Sequence, residues 1–137
     1  MSIYSNIPLL GIKKIDAEHR DLTIFLVQLS VGSDGHIDAD PLKLTQAFLD
    51  YCTHHFEHEE LYMARQNYPF DESHAHIMEH RRIGIKVKRL IDDYKVTFNK
   101  DNIIEIRKEF VTHMAIYDKM WAEWAEINAP GFKKPAK

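Results

Sequence analysis

The chain has 137 residues, 45% of them hydrophobic, which suits one domain (residues 1–137) with one buried core. Its charges are mixed in sign and sum to −3 without a basic stripe, which argues against nucleic acid as a partner; no apolar run approaches the ~20 residues of a membrane span. The opening segment MSIYSNIPLLGIKK lacks the basic start of a signal peptide, and the lone Cys52 rules out an internal disulfide and fits a reducing compartment, the cytoplasm by default.

Residues 1–15 read as an arm laid across the body of the protein. Four amphipathic helical stretches follow, with no strand-like alternation. The first spans about 16–30, with Asp16 as N-cap and Ile15, His19, Leu22, Leu26 and Leu29 at helical spacing. The segment GSDGHIDAD then breaks the pattern. The second stretch, 41–66, opens on Asp40-Pro41, an N-cap followed by proline at the first helical position, and stops before Pro69. The third runs over 73–97 from a Ser73 cap, and the fourth over 102–128. Short loops between helices of this length predict an all-α fold, an antiparallel up-down-up-down four-helix bundle.

Positions four apart share a helix face, so each histidine can be assigned to a stripe. His19 lies between Ile15 and Leu22 on the buried face of the first helix. His55 and Glu59 continue Phe48, Cys52 and Met63, whereas His54 and His58 share a solvated or boundary face with Asp50 and Arg65. His76 and His80 lead into Ile83, Val87 and Leu90, while His74 falls off that stripe. His113 continues Ile103, Ile106 and Phe110.

Any one of these histidines alone is more often a hydrogen-bonded core residue than a ligand. All four helices, however, aim imidazoles inward, and buried polar groups without partners cost a few kcal/mol each (about 1–3). A metal resolves the conflict by turning desolvated lone pairs into bonds. Five imidazoles and a carboxylate exceed one tetrahedral zinc site, and there is no HExxH or Cys-x-x-Cys. Calcium and magnesium want oxygen-rich sites, so nitrogen-rich ligation points to a transition metal, and the excess of ligands to two ions. The chain also has no Glu-x-x-His, the signature of the carboxylate-rich di-iron bundles.

The segment ending in Asp16-Ala-Glu-His19, the run His55-Phe-Glu-His-Glu59, the pair His76-Ile-Met-Glu-His80 and the close His113-Met-Ala-Ile-Tyr-Asp118 together resemble the hemerythrin family in its single-domain bacterial form. The resemblance covers nearly the whole chain. It departs from the family at the arm, where Ile3 and Tyr4 stand in place of a tryptophan, and in a stretch after Pro69 that is about two residues longer, which leaves His74 as an alternative to His76.

The resemblance implies a non-haem di-iron centre with a bridging oxo or hydroxo group. His76, His80 and His113 would hold one iron, and His19 and His55 the other, which keeps a vacant position. Glu59 and Asp118 would bridge both. Asp118 enters the set only by resemblance, because five residues past His113 it stands ~140° round an ideal helix, an offset that a local bulge would reconcile. The implied activity is reversible binding of dioxygen for storage, transport or delivery by a carrier rather than an enzyme. A sensing module for oxygen, nitric oxide or redox state, a peroxidase or nitric oxide scavenger, and an iron-storage or zinc-bound structural bundle are the alternatives. Leu22, Phe56, Ile83 and Trp121 are candidate pocket walls or simple core, and Trp121 and Trp124 candidates for a subunit contact or simple packing. The expected state is a monomer or weak homo-oligomer, with an oxygen-recipient protein as a possible partner.

Overall fold

The computed structural model of the protein describes residues 11–33 and 40–129, all of it helical or connecting chain, with no strand among the described residues. Most of the expected arm and of the first loop lie outside them.

Helix α1 spans Lys13–Ser33. It begins before Asp16 because Gly11, at φ 85°, turns the chain in, and the Asp16 carboxylate accepts the Gly11 N–H at 3.3 Å. Asp16 therefore secures the helix from inside its first turn rather than as the expected N-cap. Helix α2, Pro41–Arg65, starts as the sequence predicts, with Asp40 accepting the Leu42 N–H at 3.0 Å. It ends in a left-handed Asn67 (φ 57°), with Tyr68 N–H returning to Met63 O and Asn67 N–H to Ala64 O, the paired bonds that satisfy a helix's last carbonyls.

Helix α3 covers Phe70–Asp92, opening at Pro69 rather than at Ser73, with Asp71 and Glu72 in the first turn where the helix dipole favours negative charge. The expected single helix 73–97 is two pieces. Asp93 leaves helical geometry (φ −115°, ψ 41°), and a short α4, Tyr94–Thr97, follows. The Thr97 hydroxyl donates back to the carbonyls of Arg89 (2.8 Å) and Asp93 (3.0 Å), a local bond that competes with helix continuation.

The last rod is α5, Lys100–His113, capped by Asn99, then a π-helical turn Met114–Asp118, then α6, Lys119–Asn128. Lys119 N–H reaches Met114 O five residues back, which marks the wider turn. No helix of the described residues is long and apolar enough to cross a membrane.

The rods pack in a closed ring, α1 on α2, α2 on α3, α3 on α5 and α5 on α1, consistent with a helical bundle. Its core is divided. A larger apolar cluster holds Leu22, Leu26, Phe48, Cys52, Ile83, Val87, Ile106 and Phe110, among others. A smaller one holds Ile12, Ile15, Met63, Tyr68, Trp121 and Ala125. Each fully buried large side chain contributes roughly 2 kcal/mol. Along α1, α2 and the α5–α6 rod, the stripe is interrupted between the two clusters by polar residues, at His19, at His55 and Glu59, and at His113 and Asp118. His76 and His80 stand at the same level of α3, so a polar layer lies across the bundle between two apolar clusters.

Candidate metal centre

All seven residues expected at the site are buried and meet in that layer: His19, His55, Glu59, His76, His80, His113 and Asp118. Two groups able to hold a cation share Glu59. One adds His76, His80, His113 and Asp118; the other adds His19 and His55.

Glu59 divides its oxygens between them. Oε2 stands 2.9 Å from His19 Nε2 and 3.2 Å from His55 Nε2. Oε1 stands 2.8 Å from His80 Nε2, 3.3 Å from His76 Nε2 and 3.8 Å from His113 Nε2. Asp118 divides the same way, with Oδ2 3.2 Å from His19 Nε2 and Oδ1 2.9 Å from His76 Nε2 and 3.3 Å from His113 Nε2. The π turn brings Asp118 here, because its wider winding cancels the offset an ideal helix would give the fifth residue after His113.

Two observations test whether a cation fits. Both Asp118 oxygens are fully buried and lie near three imidazole nitrogens, yet none of these is aligned to hydrogen-bond them. His80 Nε2 and His113 Nε2 face each other at 3.2 Å, so a proton or a metal must lie between or beside them. Orphaned carboxylate oxygens and opposed imidazole nitrogens are what a metal would satisfy, and the five-nitrogen, two-carboxylate set suits a transition metal.

Without a metal, protons take its place. Burial lowers the pKa of His19, yet Asp118 and Glu59 beside it raise it to about 10, and the same balance raises His113 to about 10. Burial opposes ionisation of Glu59 and Asp118, but the surrounding imidazoles hold both well below the usual carboxylate range. The layer is thus a nest of positive and negative groups that a cation can enter by displacing protons.

Partners outside the nest orient the rings. Glu18, on α1, accepts the Nδ1–H of His55 at 2.9 Å and that of His58 at 2.6 Å. Glu60 accepts the Nδ1–H of His80 at 2.9 Å. Both glutamates escaped the sequence reading, because each follows or precedes a ligand position on its own helix and meets its histidine only across the bundle. Their one sequence signal is adjacency: Glu18 precedes His19 and Glu60 follows Glu59. His58 is accordingly a boundary residue with a role, whereas exposed His54 lies against the Asp50 carbonyl of its own helix at 2.8 Å.

His74 is exposed and lies against Phe70, ring centroids 5.8 Å apart, so the structure gathers His76 and not His74 into the layer. Of the four candidate walls, Phe56 stacks on His80 at 4.1 Å, and Trp121 meets His76 edge-on at 6.0 Å while its indole N–H donates to Gln66 at 2.6 Å. Leu22 and Ile83 belong to the larger apolar cluster. Trp124 packs on Tyr68. Cys52 is buried in the apolar cluster, where burial keeps its thiol protonated, away from the layer.

The sequence model of one protein family, the hemerythrin HHE cation binding domain, matches residues 10–125. Comparison with curated proteins and with solved structures gives no match.

Proposed function

The chain belongs to the family of hemerythrin HHE cation-binding domains, and from that premise we propose that it binds dioxygen reversibly at a centre of two non-haem iron ions. The observation that carries this reading is the division of Glu59 and Asp118, each with one oxygen toward His19 and the other toward His76 and His113. Two carboxylates so divided would be shared between two ions, one held on each side. His76, His80 and His113 would hold one iron, and His19 and His55 the other.

When bound, two ferrous ions would supply the two electrons needed for reversible capture of dioxygen. The protein's own contribution is geometric. One half has three imidazoles and the other two, so the two-histidine half would be the one to accept a small exogenous ligand. Glu18 and Glu60 direct the Nε2 lone pairs of His55 and His80 inward by holding their Nδ1 protons. Apolar clusters on both sides of the layer exclude water, which favours a clean reversal over hydrolytic side reactions.

Both carboxylates buried in the layer are surrounded by imidazoles, leaving neither free as an acid or base for a substrate, which supports a carrier over an enzyme. The order of clusters along the rods supports the up-down-up-down arrangement: α1 runs from the smaller cluster through His19 to the larger, and α2 runs from the larger through His55 to the smaller. The lone thiol of Cys52 fits the cytoplasm.

The test is to load the chain anaerobically with ferrous iron and cycle it between air and argon. A visible absorption band that comes with oxygen and leaves on purging, over several cycles, is the expected result. Continuous oxygen consumption with no return on purging overturns the carrier reading.

A further inference from the structure

We propose that the divalent cation reaches the three-histidine half of the centre through a surface pocket between α3 and the π turn, guided by Asp71 and Glu72 and received by His76. The inference rests on the reading of the polar layer as a metal centre, and assigns to that centre a way in.

The pocket has a volume of about 200 Å³, and its lining includes Asp71, Glu72, Ala75, His76, Tyr117 and Met120. Asp71 and Glu72 are exposed and form no ion pair among the described residues, and they are the two charged side chains that line the pocket. A cleft lined by one sign of charge against apolar walls concentrates counter-ions. Here the counter-ion is a hydrated divalent cation, since carboxylate oxygens are its ordinary first ligands.

His76 links the pocket to the centre. It lines the pocket, yet is only 1% exposed, and its Nδ1 has no hydrogen-bond partner. Its Nε2 stands 2.9 Å from Asp118 Oδ1 and 3.3 Å from Glu59 Oε1. One ring therefore separates the pocket from two carboxylates that are themselves fully buried. Tyr117, half-buried, closes the same wall, its ring lying 5.6 Å from that of His113 and 6.0 Å from that of His76. The other carboxylates at the margin of the layer, Glu18 and Glu60, are already engaged by histidines.

The experiment strips the full chain with a chelator, mixes it with Co2+ and follows uptake by stopped-flow absorbance; release from the loaded chain into excess chelator is followed separately. Replacing Asp71→Asn with Glu72→Gln should slow uptake about tenfold at low ionic strength, a loss that high salt abolishes because it screens the wild-type attraction too. Ala75→Trp, which fills the pocket from an exposed helix position, should slow uptake and release alike at any salt, with the final metal content unchanged. Asp101→Asn, which removes a first-turn carboxylate from α5 instead, should leave the rates unaltered. Wild-type rates in both pocket variants overturn the route while leaving the centre intact. Failure of the unaltered chain to take up any metal overturns the reading beneath it.

Discussion

Glu18 fixes the ring of His55: its carboxylate accepts the Nδ1–H at 2.9 Å, which leaves the Nε2 of that ring directed at Glu59, 3.2 Å away. The same carboxylate holds His58, so one residue of α1 clamps two of α2. Loss of such an outer partner typically weakens a metal site about 10–100-fold. Glu18→Ala should therefore lower affinity at the two-histidine half by about that factor, and Glu18→Gln, which retains an acceptor oxygen, by less. Competition against a chelator of known affinity measures both. Unchanged affinity in Glu18→Ala would show that packing alone orients His55.

The choice between His76 and His74 gives a sharper contrast. His76→Ala should remove a ligand and reduce metal content at the three-histidine half, while His74→Ala, at an exposed position, should leave both content and affinity at wild-type levels. Metal analysis of the purified variants decides it, and loss of metal in His74→Ala would reassign the ligand.

The metal-free chain should be most stable in mildly acidic solution. His19 and His113 are raised from 6.5 to about 10, so their contribution is complete below pH 6.5 and is lost as pH climbs through about 10. Glu59 and Asp118 are depressed from 4.5 and 3.8, so theirs is complete above those values and is lost as pH falls through the lower native ones. Thermal melts of the metal-free chain should thus weaken from pH 7 toward pH 10. Metal loading requires the same imidazoles to give up protons, so it should release protons and tighten as pH rises. Melts across pH and proton release in weak buffer check the two halves; a metal-free chain that gains stability toward pH 10 contradicts the assignment.

Gln66 and Trp121 share a buried 2.6 Å hydrogen bond between the end of α2 and α6. Gln66→Leu keeps the volume but strands the indole N–H, and should cost about 1–3 kcal/mol in denaturant unfolding of the metal-free chain. A cost near zero would mean that the indole finds another acceptor.

The pattern of inward stripes makes much of this legible in the sequence. His19, His55, Glu59, His76, His80 and His113 each continue an apolar face at helical spacing, so local periodicity was enough to place them. Asp118 was not legible that way, because the spacing rule assumes an α-helix and the chain winds as a π turn over Met114–Asp118. Glu18 and Glu60 were missed for a different reason: their importance lies in contacts to another helix, which no single-helix pattern encodes. The break at Asp93 and the early start at Lys13 depend on small differences in hydrogen bonding, at Thr97 and at Gly11, that propensity does not resolve.

The most direct measurement of the central claim is an anaerobic titration of the metal-free chain with ferrous iron, followed to its endpoint by metal analysis. The expected endpoint is two irons per chain, falling below two in Asp118→Ala because the carboxylate that faces both His19 and His76 is gone. An endpoint of one ion per chain, or a preference for a single zinc that leaves Asp118→Ala unaffected, would contradict it.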